Sequence, residues 1–323
     1  EKADAVFVRD DKNGKWNMKK GLQGKLKGEM SDETKDNITD IEENKTKKWI
    51  IDFSQLKFLI KPTAFKHTGL FPEQSANWDW VREILKMVSS DCGQVAPAGE
   101  SSLPTGEATK GDLLSPRGRG YQIYRYGACG HDLATNLAGI EVLNLFGYTG
   151  GATLACAQTG VKVTHVDSSK SAITWAKENA EISGLSNKPI RWILDDARSF
   201  VEREIKRGRK YDGIIMDPPS FGHGTKKEIW KIEEHFLSLI EDCMKLLSDK
   251  PLFFLINGYS AGYSAIAYEN CLKVLVEKFG GTIEIGELTL EETGNKDNRD
   301  KKNEYNGKSS RLLPCGIFAR WER

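Results

Sequence analysis

From Glu141 onward, short apolar runs alternate with amphipathic ones. The runs EVLNLFG (141–147), KVTHVD (162–167), IRWIL (190–194), YDGIIMD (211–217) and PLFFLINGY (251–259) are strand-length and largely apolar. Such runs suit strands buried on both faces. Between them the pattern is helical, at about Gly151–Thr159, Ser169–Ser183, Arg198–Arg207 and Lys227–Leu247. In the second of these, Ala172, Trp175, Ala176, Asn179 and Ala180 fall on one helical face, and Ser169 stands where an N-cap belongs. Strand, helix, strand, repeated, predicts a parallel sheet with helices on both faces. A further helix over Ser264–Phe279 leads to TIEIGELTL (282–290) and RLLPCGIFARW (311–321), which predict an antiparallel pair at the sheet edge.

Ahead of this unit the pattern is weaker. AVFV (5–8) and WIIDFSQLKFLIKP (49–62) are β-like. Between them, Lys19–Lys48 has hardly any large apolar residues and cannot offset its ordering entropy, so it reads as a mobile insertion. Ser89–Ala128, dense in Gly, Ser and Pro, and Glu292–Ser310 read as surface loops. The expected organisation is a small N-terminal β-rich region over 1–80 and an α/β domain over 81–323. The first carries the insertion at about 19–48 and a cofactor-covering element; the second has loops at about 89–128 and 292–310.

Composition changes this picture little. Of 323 residues, 39% are hydrophobic and 29% charged, and no apolar run approaches the roughly 20 needed to span a bilayer. With 47 basic and 46 acidic residues the formal charge is +1, so any nucleic-acid site must be a local patch. The six cysteines contain no C-x-x-C pair or zinc spacing. Cys156, Cys243 and Cys271 lie among helical apolar residues, as reduced thiols of an intracellular, cytoplasmic protein would. No metal set is visible. The chain opens at Glu1 rather than Met, as a trimmed chain would, so a targeting segment ahead of it would not be seen.

In doubly wound sheets ligands bind at the carboxyl ends of the strands, so the residues just after each strand matter most. After the first comes NLFGYTGGATLA (144–155), where Gly147, Gly150 and Gly151 allow a tight turn before a helix N-terminus. After the second comes Asp167, placed to accept from ribose hydroxyls. After the third come Asp195 and Asp196, able to accept from an adenine amino group. The spacing G-Y-T-G-G misses the dinucleotide fingerprint. Asn144, Tyr148 and Thr149 better suit a zwitterionic amino-acid tail joined to a nucleoside.

With these motifs in hand, the chain resembles class I S-adenosylmethionine-dependent methyltransferases. LNLFGYTGGATLA, THVDSSKSAITWAKEN, DDARSFV and MDPPSFG carry the resemblance, with PTAFKHTGLFPEQSANWDW (62–80) ahead of them. It is most similar to the branch of bacterial 23S ribosomal RNA methyltransferases acting on cytosine C5 or guanine N7. The resemblance implies a Rossmann-like seven-stranded sheet with its last strand antiparallel, beside the small N-terminal appendage. It places Asn144, Phe146, Gly147, Tyr148, Thr149 and Gly150 at the methionine moiety, Asp167 on the ribose and Asp196 at the adenine. Ser168, Asp195, Ala197, Gln74 and Asp217 complete the expected cofactor set.

The reacting corner is then DPPSF. Asp217 can accept from an amino group of a base or from the methionine ammonium, Pro218 and Pro219 fix the backbone, and Phe221 can stack on a flipped-out base. Methylation of cytosine C5 needs a cysteine to attack C6 first. INGYSAGYSA (256–265), where the cytosine-modifying relatives carry that cysteine, has none, and Cys315 sits in an expected strand. Nitrogen methylation of RNA, ribosomal RNA foremost, is therefore the favoured reading. A small-molecule or protein methyltransferase, a nucleotide-dependent oxidoreductase and a non-catalytic cofactor module stay open. Arg203, Lys206, Arg207, Arg209 and Lys210, with Lys226 and Lys227, could form a phosphate rim.

Overall fold

The computed structural model describes residues 5–9, 14–18, 49–61, 63, 68–90, 137–225, 228–260, 262–291 and 311–323. The insertions expected over 19–48, 89–128 and 292–310 lie outside these, as do Lys226 and Lys227, except that Ser89 and Ser90 are helical rather than part of a loop. Among the described residues, no helix is long and apolar enough to cross a membrane.

The N-terminal part is two antiparallel hairpins: β1 (Ala5–Arg9) with β2 (Gly14–Met18), and β3 (Ile50–Phe53) with β4 (Leu56–Leu59). The second turns through Ser54 and Gln55, both at positive φ (45° and 64°), the twist that two-residue hairpins favour. A 3₁₀ turn, Pro72–Gln74, then leads into α1 (Ser75–Ser90). This helix is absent from the sequence-based expectation, although Trp78, Val81 and Leu85 repeat at helical spacing and all are buried.

The main unit alternates as expected: β5 (Glu141–Leu145), α2 (Gly151–Thr159), β6 (Lys162–Asp167), α3 (Lys170–Ile182), β7 (Ile190–Leu194), α4 (Ala197–Lys206) and β8 (Gly213–Met216). A short hairpin, β9 (Phe221–His223) with β10 (Ile229–Lys231), follows, then α5 (Ile232–Lys245) and β11 (Phe253–Gly258). The chain closes with α6 (Ala265–Phe279), β12 (Thr282–Glu291) and β13 (Leu312–Glu322). The sequence pattern started the fifth helix near Lys227. Instead residues 229–231 are extended, because they pair with β9 and turn the Trp230 ring inward.

The seven-stranded sheet has the order β12-β13-β11-β8-β5-β6-β7. Strands β11, β8, β5, β6 and β7 are parallel, while β13 runs antiparallel to both its neighbours, β11 and β12. The final strand is thus inserted one place in from the edge. Alternation along the central strands sorts two cores. Leu143, Leu145, Ile214, Met216, Phe254 and Ile256 pack towards α4, α5 and α6. Val142, Ile215, Phe253 and Leu255 pack with Trp80, Val81 and Cys156, on the side of α1 and α2. By the same alternation, Asn144 and Asn257 lie on the α1/α2 side. The connection from β7 back to β8 crosses β5, which opens a crevice at the carboxyl ends of β5 and β8.

Candidate functional site

The loop between β5 and α2 forms one wall of the crevice. Three of its five residues have positive φ: Phe146 (58°), Tyr148 (47°) and Gly150 (91°). Left-handed backbone at two non-glycine residues costs on the order of 1 kcal/mol each. The loop is over-determined by its hydrogen bonds. The Gly147 amide donates to Val166 O (3.1 Å), the Gly150 amide to Gly147 O (2.9 Å) and the Tyr148 amide to Asp167 Oδ2 (2.9 Å). Gly147 cannot carry a side chain, since a Cβ there would run into the His165 ring.

That ring is structural. His165 is fully buried, shares a hydrogen bond through Nδ1 with Thr153 Oγ1 (2.8 Å) and packs at a tilt against the Trp192 ring, and burial depresses its pKa to about 3. Asn144 is spent in the same place, its amide donating to Thr153 Oγ1 (2.8 Å). Its side chain therefore faces α2 rather than the crevice. Thr149 is also turned inward: its hydroxyl donates to Gly69 O (2.7 Å) and its carbonyl accepts from Asn179 Nδ2 (2.9 Å). Asn179 in turn accepts from the Leu59 amide (2.9 Å), and Trp175 Nε1 donates to Leu59 O (2.8 Å). These bonds dock the N-terminal segment onto α3.

A cleft opens beside this loop, lined by Phe146, Asp167, Ser168, Asp195, Asp196, Ala197, Pro219, Gly222, His223 and Trp230. Phe146 and Trp230 form an aromatic corner with ring centroids 5.2 Å apart. Asp167 is held by two backbone amides, from Tyr148 and Ser169 (2.8 Å), while burial raises its pKa. Each of its oxygens keeps a free lone pair, as a diol would require. Asp196 caps α4, accepting from the Ser199 amide (3.0 Å) through Oδ1, which leaves Oδ2 for a ligand. Asp195 is committed elsewhere, to its neighbour's amide (3.0 Å) and to an ion pair with Arg203. An aromatic corner, a buried acid and a second acid at the next strand end suit an adenosine group. The β9–β10 hairpin closes the cleft: Ser168 Oγ donates to His223 O (3.0 Å) across it.

DPPSF follows β8. Trp230 Nε1 donates to Pro219 O (2.6 Å), which fixes the strand exit, and Ser220 and Ser260 hydroxyls share a hydrogen bond (2.8 Å). Asp217 accepts from Gln74 Nε2 (2.6 Å), and the same amide donates to the Tyr259 hydroxyl (3.0 Å). Burial pushes the Asp217 carboxyl up to about 6, opposed by the Gln74 donor and assisted by the Glu73 charge. Glu73, buried and hydrogen-bonded by Tyr259, was missed from the sequence. Its position before Gln74 was the signal available. Phe71 packs against both Tyr148 and Tyr259 (5.7 and 5.8 Å) and joins the two sides of this corner. Phe221 is 54% exposed on β9, its ring edge-on to His223.

Other candidates fall outside the corner. Arg207 and Arg209 pair with Glu204 and Glu141, and Lys210 donates to Lys245 O. They follow the end of α4, at the amino ends of the strands, so they form no rim to this crevice. Trp78 stacks on Phe58, joining hairpin and helix. Among the described residues no group of His, Cys, Asp and Glu is placed to hold a metal. Cys315 on β13 is partly buried, and burial together with the Glu73 charge raises its thiol pKa.

Comparison with known proteins agrees with this geometry. Residues 140–249 match the family model described as RNA cap guanine-N2 methyltransferase. Over 123 residues the chain is 34% identical to ribosomal RNA large subunit methyltransferase K of Neisseria meningitidis, covering 38% of this chain and 35% of that protein. Over 112 residues it is 37% identical to ribosomal RNA large subunit methyltransferase K/L of Shewanella baltica, covering 34% of this chain and 15% of that one. The alignments thus span about a third or less of these curated relatives. Over 99% of this chain and 77% of the other, the fold is similar to the crystal structure of the SAM dependent methyltransferase from Agrobacterium tumefaciens, with TM-score 0.67 and 30% identity. A putative SAM-dependent methyltransferase from Streptococcus mutans shares the fold at TM-score 0.52 and 16% identity, over 88% of this chain and 57% of its own.

Proposed function

The chain belongs to the S-adenosylmethionine-dependent methyltransferases, and we propose that it methylates a nitrogen of an RNA base, ribosomal RNA foremost. When bound, S-adenosylmethionine supplies an activated methyl group, so the protein's task is to position the acceptor and receive a proton. Asp167 and Asp196 would hold the nucleoside, between Phe146 and Trp230. Asp217 stands at the strand end beside that cleft, with Oδ2 occupied by Gln74 and Oδ1 bonded by none of the described residues, so that it could accept an N–H of the target base. Phe221 offers an exposed ring for the base to stack on.

The observation that carries the nitrogen target is a carboxylate at Asp217, held by Gln74 at the strand end, with no cysteine in residues 256–265 at and after the end of β11. A carboxylate can take the amine proton, whereas carbon methylation would need a thiolate. The names of the partial relatives support RNA as the acceptor, and the same reading puts the protein in the cytoplasm. Incubation with labelled S-adenosylmethionine and total RNA, protein or small-molecule extract tests this. Label confined to protein or small molecules would overturn the RNA assignment. Nucleoside mass spectrometry then names the atom, and 5-methylcytidine would overturn the nitrogen assignment.

A further inference from the structure

A buried line of polar side chains runs from the outer part of the sheet to Asp217. Arg320 on β13 donates from Nη1 to Asn77 Oδ1 (3.1 Å). Asn77 on α1 donates to Asn257 Oδ1 (2.7 Å), and Asn257 on β11 donates to Gln74 Oε1 (3.2 Å). Gln74 then donates to Asp217 Oδ2 (2.6 Å). Asn77 and Asn257 are essentially inaccessible to water, and Gln74 is nearly so.

The two ends give this line a direction. A guanidinium has donors and no acceptor, and an ionised carboxylate has acceptors and no donor. An amide can present either edge, and in isolation each could flip. Between Arg320 and Asp217 every amide must turn its oxygen towards the arginine and its nitrogen towards the aspartate. Arg320 is itself fixed by an ion pair with Glu284 (2.6 Å) and lies over the Trp80 and Phe318 rings, each 4.9 Å away.

We propose that Arg320, Asn77 and Asn257 are positioning residues that act through Gln74: they lock its amide so that its N–H always faces Asp217. The lock favours ionised Asp217 and leaves Oδ1 for the acceptor. It also explains why β13, far along the chain, belongs to this corner. The inference rests on the reading above only in assigning Asp217 to the acceptor. Among the described residues, the other titratable groups facing Asp217 are Glu73 on the 3₁₀ turn, Tyr259 after β11 and Tyr268 on α6, while Cys315 on β13 faces Glu73.

The test is a pH titration of the Asp217 carboxyl carbon by NMR in aspartate-labelled full chain, assigned with Asp217→Asn and run without acceptor. Asn77→Leu breaks the line without changing charge, and Arg320→Met removes its donor end. Each is expected to raise the Asp217 midpoint by about half a pH unit to one unit, because the carboxylate loses an enforced donor. Glu284→Gln removes the ion pair but keeps the Arg320 donor, and should leave the midpoint in place. Should Asn77→Leu and Arg320→Met both fold, melt earlier and titrate with an unmoved midpoint, the line is packing alone and the proposal falls. Methylation of RNA in the same preparations reads the other claim independently. A moved midpoint with no RNA product keeps the lock and removes the substrate, and RNA product with an unmoved midpoint does the reverse.

Discussion

Asp217→Asn should separate function from stability, and the structure gives both signs. Burial moves the carboxyl from 3.8 to about 6 in the folded chain. A raised acid means that the folded state holds the proton more tightly than the unfolded state does. The group's contribution to stability is therefore fully present below about pH 4 and is lost as pH rises through about 6. About two pH units at 1.36 kcal/mol each makes ionised Asp217 a burden of about 3 kcal/mol at neutral pH. Asparagine carries no charge to desolvate and its oxygen can still accept from Gln74. The variant should accordingly be more stable than the parent by about 2 kcal/mol at pH 8, with the gap closing towards pH 5. Chemical denaturation of both proteins at pH 5, 6.5 and 8 measures this. Methyl transfer should fall by roughly 100-fold or more, since the proton acceptor is gone, while S-adenosylhomocysteine affinity stays within a few-fold. A variant that is less stable at pH 8, or a gap that does not change with pH, would refute the argument that Asp217 is held ionised against its surroundings.

Three further outcomes are expected. Asp167→Ala removes the acceptor that orders the Tyr148 and Ser169 amides, and calorimetry should show S-adenosylhomocysteine binding weakened roughly 10- to 100-fold. Gly147→Ala drives a methyl group into the His165 ring and should cost about 1–3 kcal/mol by chemical denaturation, an effect reduced in the double variant with His165→Ala. Phe221→Ala truncates an exposed ring, so melting should hardly change, whereas KM for an RNA acceptor should rise by about 10-fold if one base stacks there.

Which parts of this molecule a single sequence discloses follows from the range of the interactions involved. Strands β5, β6, β8 and β11 are buried on both faces and announce themselves as apolar runs, while β7 is a half-exposed edge strand; β6 and β7 begin and end where the pattern places them. The Ser169 cap is equally local, a side chain meeting an amide three residues on. The hairpin β9–β10 has three residues per strand, too few for any period, and the helix pattern beside it absorbed Ile229 and Trp230. The site divides in the same way. Residues at strand ends were placed by topology, because a parallel sheet brings every carboxyl end to one edge. What those side chains then do depends on partners the pattern cannot name: Arg203 claims Asp195, and Thr153 claims Asn144. The line to Asp217 lies furthest from local reading, joining residues 143, 180, 183 and 243 positions apart. Each member taken alone is an unremarkable polar residue, and Arg320 stands in an apolar strand where it resembles an edge charge. Only a folded chain, with β13 inserted beside β11 and α1 laid across both, turns three ordinary amides into a directed one. A donor-only end and an acceptor-only end then permit a single orientation between them, which makes the distal strand part of the chemistry at Asp217.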